Sequence, residues 1–487
     1  MSNEIKNLEP KAVWENFYSL TQIPRPSNHE ARIQDFVYDF GKNLGLETIK
    51  DEVGNIIIKK PATPGYEDSK GIIMQGHLDM VPQKNSDKEH DFENDPIEAY
   101  IDGEWVTANG TTLGADNGIG VAAAMAVLAA NDIEHGPVEG LFTATEETGM
   151  DGAEGLKAGV VDGDILLNTD TEDEGTFSVG CAGGVDVIAS FKAKNEKTAK
   201  KGIVAFKMSI TGLKGGHSGL DINLGRGNAN KIFFRILKVL NKEFKVSLAD
   251  IQGGSLRNAI PREAFGVLTV RSKYVADLGK RFGELVAEIK AEFVHAEPNL
   301  LIDIEETEKP KIIFKKGFQK KLTNTVLAAP NGVVRMSDTM ENTVETSTNM
   351  AVVKLKGKKI EISCLVRSFS ETAKMDLASR LESVFCLGGA KVTIQGNYPG
   401  WIPNMDSPIL EVMKKLYAEK YGKEAELLAM HAGLECGILG ATYPNWDMIS
   451  FGPTIRFPHS PDEKVNIETV QKFWDFLLLT LKNIPKK

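Results

Sequence analysis

The stretch that most constrains this chain is Gly71 to Met80, Gly-Ile-Ile-Met-Gln-Gly-His-Leu-Asp-Met. Ile72, Ile73 and Met74 predict a strand buried on both faces, with Gly71 and Gly76 bounding it. The strand delivers His77 at its carboxyl end, the position where open α/β sheets bind their ligands. Two residues on, Asp79 is placed to accept the other ring N–H, which would fix the tautomer of a metal-bound imidazole. His-x-Asp arises often by chance. Its significance here comes from the acidic strand ends that follow it.

Those ends recur along the first third of the chain. Val138–Ala144 reads as a strand running into Thr145-Glu146-Glu147, and Ile165–Asn168 as a strand running into Thr169-Asp170. Before both, Gly114-Ala-Asp-Asn-Gly118 opens an Ala-, Val-, Leu- and Met-rich helix to about Ala130. Upstream, Ser27 with Glu30 has the spacing of a capping box for a helix whose apolar face is Ile33, Phe36, Val37, Phe40 and Leu44. Strands alternating with helices predict an α/β domain with a largely parallel sheet flanked by helices. From about 186 to 398 the pattern changes to strands such as Val204–Thr211, Ala264–Val270 and Ile360–Val366 with amphipathic helices between them. That predicts an inserted α+β lid domain with an antiparallel sheet, entered near the lysine-rich segment 195–201. Two of its segments, Asn258 to Arg271 and Asn349 to Arg367, look related, which suggests a duplicated lid. After Trp401 the first pattern resumes. The expected organisation is a discontinuous catalytic domain, 1–185 and 399–487, around an insertion at 186–398.

Length and charge limit the partners. A chain of 487 residues holds two or three domains, each with ample core. A net charge of −10 argues against nucleic acid or an anionic membrane as the main partner. The four cysteines show no Cys-x-x-Cys spacing, which fits a reducing compartment without a disulfide framework. No apolar, basic-led opening marks a signal peptide, and the uncharged run Gly118–Ala130 is too short to cross a bilayer. The cytoplasm is the expected location.

The candidate metal ligands are His77, Asp116, Glu147, Asp170 and His459, each at or beside a predicted strand end. Singly they have bland readings: a Glu-Glu pair is commonly a solvated surface feature, and Gly-Ala-Asp-Asn-Gly commonly a turn and helix cap. Such readings would have to hold together at five strand ends. Two His and three carboxylates suit Zn²⁺, Mn²⁺ or Co²⁺. Five protein ligands exceed what one tetrahedral catalytic zinc takes, and they suit two ions if one carboxylate bridges. Asp116, with Gly114, Gly118 and Gly120 around it, is the best bridge. Glu146 adjoins Glu147; if the two are extended they point opposite ways, one to metal and the other to water as general base. In the insertion, His217 lies on a glycine-rich turn and Arg367 ends a strand where it could pair with a carboxylate of substrate or of a neighbouring strand.

Taken in order, His77-Leu-Asp79, Gly-Ala-Asp116-Asn-Gly, Glu146-Glu147, Asn168-Thr-Asp170 and His459-Ser-Pro-Asp-Glu463 resemble the dinuclear-zinc exopeptidases and deacylases that include aminoacylase, carboxypeptidase G and carnosinase. Within that superfamily the chain looks most like the bacterial aminoacyl-histidine dipeptidases. Gly110 to Gly118, Gly212 to Gly219, Arg257 to Glu263 and His431 to Cys436 carry the closer likeness, which spans essentially the whole chain. The resemblance implies that His77 and Asp170 hold one zinc, Glu147 and His459 the other, with Asp116 bridging. It implies that Asp79 orients His77, that Glu146 is the base and later the proton donor, and that His217 polarises the scissile carbonyl. Asn258, Arg367 and Gly433 would hold substrate, although the turn at Gly433 reads Ala-Gly-Leu-Glu where many relatives have Gly-Gly-Thr-Asp. The expected function is hydrolysis of dipeptides, including Xaa-His, with two divalent ions, zinc first and cobalt or manganese as substitutes. A homodimer through the lid is compatible with the resemblance, and it leaves open whose site His217 serves. The rivals are an N-acyl amino acid deacylase or tripeptidase on the same site, and a metal-binding scaffold without catalysis.

Overall fold

A computed structural model describes residues 2–487. The chain forms two compact units, one of residues 1–181, 401–429 and 434–487, the other of residues 182–400 and 430–433. The junctions fall at 181/182 and 400/401 rather than at 185/186 and 398/399, because the strand Gly183–Lys192 belongs whole to the second unit's sheet. The segment 430–433 also groups with that unit.

The first unit is built on an eight-stranded mixed sheet. Its centre is parallel: Val138–Thr143, Ile72–His77, Ile165–Asn168 and Asp447–Ser450 lie side by side in one direction. Antiparallel strands flank this centre, Ile56–Lys60 on one side and Thr176–Cys181 on the other. Every residue of Ile72–His77 is buried, as its two-sided apolar run requires. The helix Ala115–Ala129 is buried from Ala115 to Leu128, which explains why no polar stripe interrupts its sequence. Among the described residues no helix is long and apolar enough to cross a membrane.

Three local expectations fail, each because a longer-range partner wins. Ser27 and Glu30 do not form a capping box: the helix Ala31–Asn43 has Glu30 at its N-cap with no side-chain cap, and both side chains bond elsewhere. Glu146 and Glu147 are not extended. Thr145 turns into the left-handed region at φ 54 and ψ 43, and a short helix, Glu146–Gly149, follows. The lysine-rich segment 195–201 is not a crossing between domains; Asn195–Lys197 pairs with Ile312–Phe314 inside the second unit.

The main sheet of the second unit runs Leu301–Thr307, Ile203–Thr211, Ala264–Arg271, Ser247–Gly253, Val344–Lys356, Lys359–Ser368, Gly183–Lys192, Lys391–Tyr398. The strand-helix-strand-strand-helix-strand order occurs once unbroken, from Ile203–Thr211 to Leu301–Thr307, and again around it, with Gly183–Lys192 as first strand and Lys391–Tyr398 as last. One set uses helices Ala229–Phe244 and Val275–Glu292, the other Lys316–Ala328 and Glu371–Leu387. The two sets mirror one another across the pairing of Gln252 and Gly253 with Lys354 and Val353. Apolar helix residues, among them Phe233, Leu237, Phe282, Leu322 and Leu381, share one core with inward strand residues such as Val187, Met208, Leu268 and Val366. Asn258 and Asn349 are not equivalent in this arrangement, since Asn258 lies in a loop and Asn349 inside Val344–Lys356.

Candidate metal centre

The parallel strands deliver their carboxyl ends to one edge, and the acidic groups gather there. His77 is the last residue of its strand, Glu146 and Glu147 begin the turn after Val138–Thr143, and Asp170 follows Ile165–Asn168 by two residues. Asp116 enters from the first turn of Ala115–Ala129, where its own φ and ψ, −82° and 110°, are not helical. Gly114 makes this bend possible with φ 72, and a Cβ there would meet the Arg25 guanidinium. His459, at φ 59, comes from the loop after Ile455–Arg456.

Asp116 faces both histidines. Its Oδ1 lies 3.1 Å from His77 Nε2 and its Oδ2 3.3 Å from His459 Nε2. Asp170 Oδ1 is 3.4 Å from His77 Nε2, and Glu147 Oε2 is 2.9 Å from His459 Nε2. Two triads that could hold a metal ion result, His77-Asp116-Asp170 and Asp116-Glu147-His459, sharing Asp116; a third such grouping joins His77 to Glu146 and Glu147. Ligands about 2.0–2.1 Å from a tetrahedral zinc stand roughly 3.3 Å from each other, so these separations fit edges of a coordination shell.

The electrostatics fit a cation as well. Burial opposes a charged His77, yet hydrogen bonding to Asp116, Asp170 and Asp79 raises its pKa well above 6.5. Asp116 and Glu147 push His459 up to about 11. Burial is the largest influence on Asp170, raised to about 6 with Asp116 adding to it. The cluster thus draws in positive charge, and metal ions compete with protons for such groups. Glu147 Oε1 is buried without a hydrogen-bond partner among the described residues, an acceptor that a metal ion would satisfy.

His77 Nδ1 lies 3.2 Å from the backbone carbonyl of Asp79, and the Asp79 carboxylate has further partners. Its Oδ1 lies 3.4 Å from His77 Nδ1 and accepts the Glu146 N–H at 3.0 Å, while Oδ2 accepts the Glu147 N–H at 3.2 Å. The side chain of Glu146 has no hydrogen-bond partner among the described residues, and burial, opposed by His77 and reinforced by Asp170, Glu435 and Glu147, raises its pKa well above the usual carboxylate range.

Sequence reasoning left other supporting residues without a role. The Glu463 carboxylate accepts the backbone N–H groups of Leu113, Gly114, Ala115 and Asp116 at 2.7–3.3 Å, fixing the bend that aims Asp116. Its place four residues after His459 was the available signal. Asn117 Nδ2 donates to Asp170 Oδ1 at 2.7 Å. Glu435, in the expected Gly-rich turn, instead begins the helix Glu435–Thr442; its Oε2 accepts from Gln75 at 2.6 Å and from Thr143 at 2.7 Å.

The second unit gathers its own set. His217 Nδ1 accepts the N–H groups of Gly219 and Leu220 at 3.3 and 3.1 Å. Backbone amides only donate, and so does the Arg367 guanidinium, whose Nη2 lies 3.2 Å from Nε2, so both ring nitrogens face donors. Burial, then the charge of Arg367, lowers the His217 pKa to about 4. Arg367 is buried, and its guanidinium reaches Ser218 Oγ, Tyr398 Oη and the Nε2 side of His217 at 3.1–3.3 Å. Among the described residues no carboxylate lies within 4.0 Å of it, so the inter-strand salt bridge is not formed. Asn258 is exposed, and its carbonyl accepts the Ser218 N–H at 2.8 Å. Gly433 lies two residues past His431, which is buried with Nε2 2.8 Å from Ser347 Oγ.

Comparison with known proteins gives these groups a family. Residues 73–483 match the model of peptidase family M20/M25/M40. The cytosol non-specific dipeptidase of Escherichia coli (strain K12) is 45% identical over 487 residues, covering 100% of both chains. The crystal structure of aminoacylhistidine dipeptidase from Vibrio alginolyticus superposes with TM-score 0.93 at 46% identity, covering 99% of each chain. A tripeptidase from Staphylococcus aureus shares the fold at TM-score 0.55, with 15% identity and 98% coverage of each chain. The chain belongs to peptidase family M20/M25/M40: it is a peptide hydrolase that uses divalent metal.

Proposed function

We propose that this chain hydrolyses unblocked dipeptides, Xaa-His among them, at a site of two divalent ions, zinc first with cobalt or manganese as substitutes. The observation that carries the reading is Asp116, which presents a separate oxygen to each of two histidines, 3.1 Å from His77 and 3.3 Å from His459. His77 and Asp170 are assigned to one ion, Glu147 and His459 to the other, and Asp116 to both. When bound, the ions lower the pKa of water toward ~7 and polarise the peptide carbonyl.

The chain's own groups have separate tasks. Glu146 takes the water's proton and returns it to the leaving amine. Burial raises its proton affinity, and its carboxylate has no competing hydrogen bond among the described residues. Asp79 holds the His77 ring and the Glu146 amide. His217, neutral at pH 7, is assigned to the carbonyl oxygen, where it would donate as negative charge develops. Arg367, a buried guanidinium without a carboxylate partner among the described residues, takes the dipeptide's free carboxylate as a forked pair. Asn258 and Gly433 are assigned to substrate binding. A scaffold without catalysis would need neither Glu146 nor His217.

The cytoplasm is the proposed location; the four cysteines are free, and the relative from Escherichia coli is named for the cytosol. Homodimerisation through the second unit would use its outer strands, Leu301–Thr307 and Lys391–Tyr398. The deciding experiment is turnover of Ala-His and a dipeptide panel beside N-acetyl amino acids and tripeptides, with and without chelator. Chelator-sensitive turnover confined to dipeptides is expected. Preference for N-acetyl amino acids or tripeptides would reassign the substrate.

A further inference from the structure

The loop from Arg25 to Glu30 has no part in the proposed chemistry, yet three of its polar side chains turn inward. Arg25, Ser27 and Glu30 are 2%, 8% and 5% exposed. Ser27 Oγ donates to Asp79 Oδ2 at 2.8 Å. Glu30 Oε1 accepts from Thr145 Oγ1 at 2.8 Å and from the Asn28 N–H at 3.0 Å. Asn28 Nδ2 donates to Thr148 Oγ1 at 3.2 Å. Arg25 ties two ligand-bearing segments by donating to the carbonyls of Leu78, Asp79 and Gly114 at 2.9, 3.0 and 2.5 Å.

These bonds converge on the turn that carries Glu146 and Glu147. Thr145 is β-branched and sits at φ 54, a conformation such residues hold only when their surroundings impose it. Glu30 grips its hydroxyl. The next two amides donate to Asp79, whose second oxygen Ser27 grips in turn. One loop therefore holds the turn by its side chain and, through Asp79, by its backbone.

We infer that Ser27 and Glu30 form a positioning clamp that fixes the Thr145–Glu147 turn, so that Glu147 meets metal and Glu146 meets water. The inference rests on the proposed roles of those two glutamates. Neither clamp residue is assigned a contact with substrate or metal; they act through Asp79 and Thr145. A loop that served stability alone would lower the melting temperature and leave the bound metal and the kcat of the folded enzyme unchanged.

The test uses the full-length, metal-loaded enzyme and measures kcat, KM, melting temperature and metal retained against EDTA. Outer partners of metal ligands are worth about 10- to 100-fold in affinity or activity, so Glu30→Ala should lose that much in kcat or metal retention. KM should stay within about twofold. Glu30→Gln keeps an acceptor oxygen for Thr145 and should restore most of the loss. Glycine adopts the left-handed turn without strain, so in a Thr145→Gly background Glu30→Ala should cost less than about threefold. Near-normal kcat and metal retention in Glu30→Ala, or an equal loss in both backgrounds, would overturn the clamp. Should Glu30→Ala not fold, Ser27→Ala against Ser27→Thr gives the same decision: a loss confined to Ala supports it, and equal behaviour refutes it. Metal retention reports on Glu147 whatever Glu146 does. Normal turnover in Glu146→Gln with metal loss in Glu30→Ala would therefore remove the base assignment and leave the clamp standing.

Discussion

His217 Nε2 lies 3.2 Å from Arg367 Nη2, and the two residues come from opposite halves of the second unit's repeated topology. His217 sits in the loop before the helix Ala229–Phe244, and Arg367 is in the strand Lys359–Ser368. An imidazole and a fixed cation thus stand together within one chain. Two backbone amides donate to Nδ1 and the guanidinium approaches Nε2, so the ring stands among donors on both sides, which fits its lowered pKa.

That pairing separates two effects in kinetics. His217→Ala removes an oxyanion donor and should lower kcat by about 10²–10³ with metal content unchanged. Arg367→Ala should chiefly raise KM for dipeptides, and Arg367→Lys should recover little, since an ammonium lacks the planar fork. Steady-state kinetics with metal analysis check both, and full turnover in His217→Ala would end the carbonyl-polarising role.

The shared position of Asp116 sets the metal stoichiometry. Metal analysis after mild purification should approach two equivalents per chain. Asp116→Ala should disturb both ions, whereas His459→Ala should mainly release one. Full activity with a single tightly held ion would rule out the dinuclear assignment.

Glu146→Gln keeps the side chain's size and cannot accept the proton. The rate should fall by at least the ~10²–10⁴ that a general base contributes, with metal retained. Ordinary turnover would move the base to another group.

His431 makes acid stability testable. Burial, then the charges of Arg367 and His217, lowers its pKa to about 3, against about 6.5 for an ordinary histidine. Between those values the unfolded chain binds a proton that the folded chain refuses, so stability falls as the pH drops from about 6.5 toward 3. The slope reaches at most about 1.4 kcal/mol per pH unit for one full proton. His431→Gln removes this site, so the stability gap between wild type and variant should narrow on acidification from pH 7 to 5 in thermal melts. A constant gap would show that His431 titrates alike in both states.

The sequence by itself determined the elements whose signal is local. The apolar run before His77 can be satisfied only as a strand covered on both faces, and the unbroken apolar stretch after Asp116 only as a buried helix. Residue chemistry at strand ends marked His77, Asp116, Glu147, Asp170 and His459 as candidates, because parallel strands bring their carboxyl ends to one edge. Tertiary structure decided what competes at long range. Ser27 and Glu30 match a capping box locally, but Asp79 and Thr145, brought close by the sheet, take their oxygens instead. Asp79 likewise draws the amides of Glu146 and Glu147 out of extension. Glu463 reaches the Leu113 amide across 350 residues of sequence. Hydrogen bonds of this kind depend on which segments the fold makes neighbours, and no local periodicity records that.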